Sequence, residues 1–275
     1  MRQVVVQVDE GVAILTLNRP EQLNAYTAQM GTQLSQAYRD CDDNDDVRAI
    51  VLTGAGRAFC AGADFSGGAS PFDAPPDGSE FSASPIDPAA FELRKPVIAA
   101  VNGHAIGIGL TIALQADIRI VADDVKYAVV QVRRGVIPDC MSHWTLAHLT
   151  NLGVAAEILL TGRTFDGPEA VAFGIANRSL PTADVLDHAV EIARDIAANV
   201  APMSAALCKR LLWDSAINGY TPRQVAWLET QLHHRVMGSD DAREGVAAFM
   251  DRRSPRFNSR LSTDWTPLPA PKPEQ

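Results

Sequence analysis

Apolar and polar positions alternate from Val4 to Val8 and again from Val12 to Leu17, separated by Asp9-Glu10-Gly11. A period of two broken by a short polar turn predicts a β-hairpin. From about Thr27 the period lengthens, so that Met30, Leu34, Ala37, Tyr38 and Cys41 share one face of a helix. The acidic run Asp40 to Asp46 closes that helix and reads as solvated surface rather than as a metal site. Apolar runs at Arg48 to Thr53 and Val97 to Val101 read as strands, and two more are expected at about Ile118 to Val121 and Tyr127 to Val130. Helical segments are expected at about His143 to Leu149, Gly153 to Leu160, Pro168 to Phe173 and Ala183 to Ala198, and Pro202 opens a further run of helices to about Arg253.

Two of these strands lead into glycine-rich turns: Gly54-Ala55-Gly56-Arg57-Ala58-Phe59-Cys60-Ala61-Gly62-Ala63-Asp64, and Asn102-Gly103 followed by a helix whose first turn carries Gly107, Ile108 and Gly109. Glycine lets the backbone take unusual angles and lets another group come close. The start of a helix leaves amide N–H groups unpaired, with the positive end of the helix dipole behind them. Two such turns can offer one N–H each to an oxygen that becomes an anion. Tight packing of a helix on a sheet asks for the same residues.

Composition narrows the class. The chain has 275 residues, 47% of them hydrophobic, enough for a full core in one large or two small domains. No long uncharged apolar run is present and Met1-Arg2-Gln3 leads directly into a strand, so neither a membrane span nor a signal peptide is expected, and the cytoplasm is the expected compartment. A net charge of -9 argues against a nucleic-acid surface. Cysteines 41, 60, 140 and 208 show neither paired spacing nor clustering with histidine, so no metal is expected, and Cys60 and Cys140 read as small buried hydrophobes.

The chain resembles the enoyl-CoA hydratase/isomerase (crotonase) superfamily. The residues that carry the resemblance are Arg19-Pro20, Leu23-Asn24-Ala25, Ala49 to Gly54, Phe59 to Asp64, Lys95 to Gly103, Ala116-Asp117-Ile118 and Ala242 to Phe249, in the family's order over nearly the whole chain. The resemblance implies an α/β fold, a crotonase-like spiral of ββα units with a C-terminal helical trimerisation region. It divides the chain into a core with an acyl-CoA site at 1–200, a helical lid and trimerisation region at 201–257 and a Pro-rich tail at 258–275, expected to be disordered at its end. The stretch Phe65 to Ala90, rich in glycine, proline and serine, reads as a loop, and the matching segment in the family helps to wall the acyl pocket.

The resemblance also assigns chemistry. The backbone N–H groups of Ala63 and Ile108 match the family's oxyanion hole, which stabilises an enolate of a thioester. Ala25, Ala61, Asp64 and Phe65 match positions around the pantetheine and adenine of coenzyme A, and Arg252 matches a cationic position near the nucleotide phosphates, although a basic end on a last helix also complements its dipole. Coenzyme A enters as part of the substrate and no other cofactor is implied. The partners implied are an acyl-CoA thioester and further copies of the chain, as a homotrimer or a dimer of trimers, with no nucleic acid and no membrane.

The positions where hydratases carry two glutamates hold Thr111 and Gln131, neither of which titrates near neutral pH; both are expected to contact the substrate instead, and Gln131 can orient a water or bind substrate but cannot activate that water by itself. Asp139, after Gly135-Val136-Ile137-Pro138, matches the acidic residue that shuttles a proton in the family's isomerases and that attacks the ring in its dehalogenase branch. A turn or helix N-cap role for Asp139 is also physically sound. His104 reads as a packing histidine, and His143 and Trp144 either line an acyl pocket or pack in the core. Three readings follow: an acyl-CoA isomerase with Asp139 as proton shuttle; a relative doing hydration, decarboxylation, dehalogenation or thioester hydrolysis; and an acyl-CoA-binding protein without catalysis.

Overall fold

The computed structural model describes residues 2–66 and 82–271. Strands β1 (Val4–Asp9) and β2 (Val12–Leu17) form the expected hairpin, with Glu10 and Gly11 at positive φ in the turn. Helix α1 (Ala28–Asp43) follows, capped by the hydroxyl of Thr27 accepting from the Met30 amide. Its five predicted inward residues are all buried. β3 (Ala49–Gly54), β5 (Val97–Val101), β7 (Ile118–Ala122) and β9 (Arg178–Leu180) add in parallel, so the six-stranded sheet runs β1-β2-β3-β5-β7-β9. A second, three-stranded parallel sheet is formed by β4 (Ala58–Cys60), β6 (His104–Ile106) and β8 (Tyr127–Ala128).

The large sheet is covered on both faces, which is why β3 and β5 read as unbroken apolar runs. On one face Val12, Ala49, Val51, Ile98, Ala100 and Ile120 pack against Val185, Ala189 and Ala193 of α6 (Val185–Asn199). On the other, Ala13, Leu15, Ile50, Leu52, Val97 and Ala99 join the main core with α1, the small sheet and α2 (Ile108–Ala113). Between α2 and α6 the chain forms α3 (Ser142–Leu149), α4 (Leu152–Thr161) and α5 (Gly167–Ala172). After α6 come α7 (Pro202–Asn218), α8 (Pro222–Val236), α9 (Asp240–Asp251) and α10 (Leu261–Asp264).

The acidic run departs from expectation. Asp42 is half-buried and binds the Arg94 guanidinium at 2.7 Å, and Asp45 accepts from the amide and hydroxyl of Ser262. These carboxylates tie α1 to the strand-leading segment before β5 and to α10. Within the expected Pro-rich tail, Leu261 is buried with Met203 and Leu232, and Trp265 and Leu268 pack against that cluster. The expectation about the end of the tail, and that for 67–81 of the loop, lie outside the described residues. Among the described residues no helix is long and apolar enough to cross a membrane, and no group of His, Cys, Asp and Glu could hold a metal ion.

Candidate active site

The first glycine turn is shaped by the segment Arg19 to Tyr26. Leu23 and Asn24 sit at positive φ, and the buried Asn24 amide donates to the carbonyls of Ala55 and Ala58. Alongside, Ala61 N–H donates to Leu23, Tyr26 N–H to Gly62, and Asp64 N–H to Tyr26, a parallel bridge in which Ala63 faces Tyr26. In such a bridge the central residue's own N–H points away from the partner strand. Among the described residues no main-chain acceptor meets the Ala63 amide.

The second turn leaves the neighbouring strand of the same small sheet, where β4 pairs in parallel with β6. Gly107 follows β6 at φ +56, a left-handed value that favours glycine, and serves as the N-cap residue of α2. Ile108 is the first residue of α2, so its N–H has no intrahelical partner. Gly109 lets this turn sit against the first, because a Cβ there would stand 2.2 Å from the carbonyl oxygen of Cys60. The amides of Ala63 and Ile108 thus leave adjacent parallel strands on turns in direct contact. Ile108 itself is buried in the main core.

Thr111 and Gln131 bracket this turn. Thr111 lies one turn along α2 and is fully buried. Gln131 begins a short 3-10 helix, Gln131–Arg134, with its amide 3.8 Å from where a Gly107 side chain would begin. Both reach the same carboxylate: Thr111 Oγ1 donates to Asp139 Oδ1 at 2.5 Å, and Gln131 Nε2 donates to Asp139 Oδ2 at 3.2 Å. Burial raises the pKa of Asp139 above the ordinary carboxylate range, and the two donors, which favour the ionised form, offset only part of that.

The N-cap alternative for Asp139 does not hold. The residue at that position of α3 is Met141 at φ 59, with no side-chain cap, and Asp139 meets α3 only through its carbonyl, which accepts from Ser142 N–H. The carboxylate is directed instead at Thr111 and Gln131. The Cys140 N–H donates to Ala83, which holds the described end of the Phe65 to Ala90 stretch beside the site.

The coenzyme A positions divide. Arg19 binds Asp64 at 2.7 Å and the Ala25 carbonyl at 2.5 Å, bringing Ala25, Ala61, Ala63 and Asp64 together. Hydrogen bonds from Ser66, then the Arg19 guanidinium, hold the Asp64 carboxyl down at about 2. Phe65 follows and is exposed, at 46%. Arg252 is not part of this cluster: it caps α9 in a left-handed conformation, exposed, and makes no side-chain hydrogen bond or ion pair among the described residues.

His104 Nδ1 accepts from Lys126 N–H, a satisfied packing role. Trp144 packs against both Phe91 and Trp213, which stack on each other, whereas His143 is exposed on α3. Cys60 and Cys140 are fully buried, and burial pushes the Cys60 thiol up to about 11 and the Cys140 thiol up as well, against nucleophilic use. Sequence reasoning missed Arg19 as the clamp on Asp64; its only signal was a cation and an anion flanking two matched segments. It also missed Asp117, whose carboxylate binds Val97 N–H, Trp213 Nε1 and the buried Lys209 of α7.

The family model for enoyl-CoA hydratase/isomerase matches residues 7–260. A probable enoyl-CoA hydratase of Mycobacterium tuberculosis is 34% identical over 94% of this chain and 98% of its own length. A 1,2-epoxyphenylacetyl-CoA isomerase of Escherichia coli is also 34% identical, over 94% of this chain and all (100%) of its own. Among solved structures, a probable enoyl-CoA hydratase/isomerase from Mycobacterium abscessus superposes with a TM-score of 0.91 at 54% identity, covering 94% of this chain and 99% of that one. With its spiral of strands and helices and its paired glycine turns, the chain belongs to the enoyl-CoA hydratase/isomerase family, the crotonase superfamily of acyl-CoA-processing enzymes.

Proposed function

We propose that the protein is an acyl-CoA isomerase that moves a double bond between the 3-enoyl (or dienoyl) and 2-enoyl positions of an acyl-CoA thioester, with Asp139 as its proton carrier. The observation that carries this reading is the single carboxylate held by Gln131 and by Thr111, which lies one turn along α2 from Ile108. The thioester oxygen takes hydrogen bonds from the N–H groups of Ala63 and Ile108, each such donor contributing roughly 3 to 4 kcal/mol in a water-excluded site. Asp139 removes a proton from C2, the C2–H electron pair becomes the dienolate, and the dienolate recovers the same proton at C4 from the carboxylic acid. One group does both transfers, so no second acid is needed. A raised pKa suits this task, because the base must also be a competent acid near neutral pH.

Ala25, Ala61, Asp64 and Phe65 border the coenzyme A moiety, and Arg252 meets its phosphates, as part of a homotrimer or a dimer of trimers. The exposed Val246, Phe249 and Met250 of α9 fit burial in that assembly. No cofactor is needed beyond the coenzyme A of the substrate, and the cytoplasm is the compartment of action. The Escherichia coli relative, an isomerase of a CoA ester, supports isomerase chemistry. The Mycobacterium tuberculosis relative, a probable enoyl-CoA hydratase, favours hydration as the second reading.

A spectrophotometric screen with 3-enoyl-CoA and 2-enoyl-CoA esters of several chain lengths tests this. Conversion of a 3-enoyl ester is expected. Hydration of a 2-enoyl ester without 3-enoyl conversion would replace the reading with the hydratase one, and micromolar binding without any turnover would replace it with a binding protein.

A further inference from the structure

We propose that Gln131 is a two-way positioning partner of Asp139, donating from Nε2 to the carboxylate and, with its amide turned over, accepting at Oε1 from the carboxylic acid. The inference rests on Asp139 carrying the proton. An ionised carboxylate only accepts hydrogen bonds, whereas a carboxylic acid has one O–H to donate. A proton carrier passes through both states in each turnover, so a partner that can only donate leaves the O–H of the acid unserved.

The two oxygens of Asp139 are held unequally. Oδ1 has the short 2.5 Å bond from the Thr111 hydroxyl, and Oδ2 has the longer 3.2 Å bond from a neutral amide. The more loosely held Oδ2 is the oxygen that takes up the proton. Once it does, the Gln131 N–H would face an O–H. Turning the amide over exchanges Nε2 for Oε1 at nearly the same place, and this terminal torsion is broad and two-fold.

Oε1 is ready for that exchange. It is buried and has no hydrogen-bond partner among the described residues, so turning the amide gives up only the long Nε2 bond to Oδ2, the one that protonation of Oδ2 weakens. An unpartnered buried carbonyl is costly and calls for an account, and serving the protonated state supplies one. Gly107 leaves room for the movement, since the Gln131 amide lies 3.8 Å from where a Cβ at 107 would be. A glutamate at 131 could accept but not donate, and would place a second negative charge beside Asp139.

The test follows Asp139 by carboxyl-carbon NMR, its resonance assigned by its loss in D139N, and the Gln131 side-chain amide, assigned by its loss in Q131M. In the wild type the Gln131 amide protons should move at the Asp139 midpoint and stay fixed in D139N. The T111V substitution should raise the Asp139 midpoint by roughly one pH unit, the loss of one donor to the charged form, with T111S restoring it. Q131M should leave the midpoint within about half a unit, because it removes a partner from both states. A Q131M midpoint raised as far as that of T111V, or amide protons indifferent to the titration, would overturn the proposal. Neither readout needs turnover, so D139N turning over as fast as the wild type would remove the isomerase reading separately.

Discussion

The hydroxyl of Thr111 donates to Oδ1 of Asp139 at 2.5 Å across 28 residues of sequence. At position 111 this chain carries not a carboxylate but a donor to a carboxylate elsewhere. Burial pushes Asp139 up, and Thr111 is the largest influence opposing it.

That relationship predicts a pH effect. Loss of the Thr111 hydroxyl removes stabilisation of the ionised form, so the folded pKa of Asp139 rises further. The active base is then lost at a higher pH on acidification. In T111V the acid limb of kcat/KM should move up by about one unit, with the rates converging on the alkaline side. T111S should behave as the wild type. A T111V profile that is lowered uniformly, with no shift of its limb, would show that Thr111 does not act through the titration of Asp139.

Gly109 predicts a steric effect of different character. A methyl group there would stand 2.2 Å from the Cys60 carbonyl oxygen, and backbone cannot yield as a flexible side chain can. G109A should push the two turns apart, costing about 1 to 3 kcal/mol of stability and most of the turnover, since donor placement tolerates little displacement. Denaturant unfolding together with initial rates checks this. A fully active G109A would mean that the contact between the turns does not set the spacing of the Ala63 and Ile108 amides.

The C-terminal helices are fastened to the start of β5 through an ion pair in which Lys209 is buried. Lys209 Nζ lies 2.8 Å from Asp117 Oδ2 and donates to the carbonyls of Ala90 and Lys95, and Asp117 in turn binds Val97 N–H, where β5 begins. Removing Lys209 leaves the mostly buried Asp117 carboxylate without its cation, so K209M should lose about 3 to 5 kcal/mol in denaturant unfolding. K209M combined with D117N should recover part of this. A loss below about 1 kcal/mol, the range of an ordinary surface change, would contradict the assignment.

These relationships mark where sequence reading stops. The hairpin, α1, β3, β5 and β7 were legible because their periods or apolar runs are long enough to register. Strands β4 and β6 were not: each has three residues and lies inside a glycine turn, where no period can form. Thr111, Gln131 and Asp139 were each singled out, but the first two as lost bases and separate substrate contacts and the third as shuttle, turn or helix cap. Only the meeting of α2, the 3-10 turn at Gln131 and the loop before α3 shows that the three form one unit. Asp42 and Asp45 read as surface because a run of acids is usually solvated, and their partners Arg94 and Ser262 lie far along the chain.

The most direct test of the account is the D139N enzyme acting on a 3-enoyl-CoA ester deuterated at C2. Asparagine keeps the shape of Asp139 and its contact with Thr111 while abolishing its capacity to take a proton. The wild type should yield the 2-enoyl ester with part of the label carried to C4, and D139N should lose conversion by roughly a hundredfold or more, the usual worth of a general base. Conversion by D139N at the wild-type rate, with the same label transfer, would contradict the assignment of Asp139 as the proton carrier.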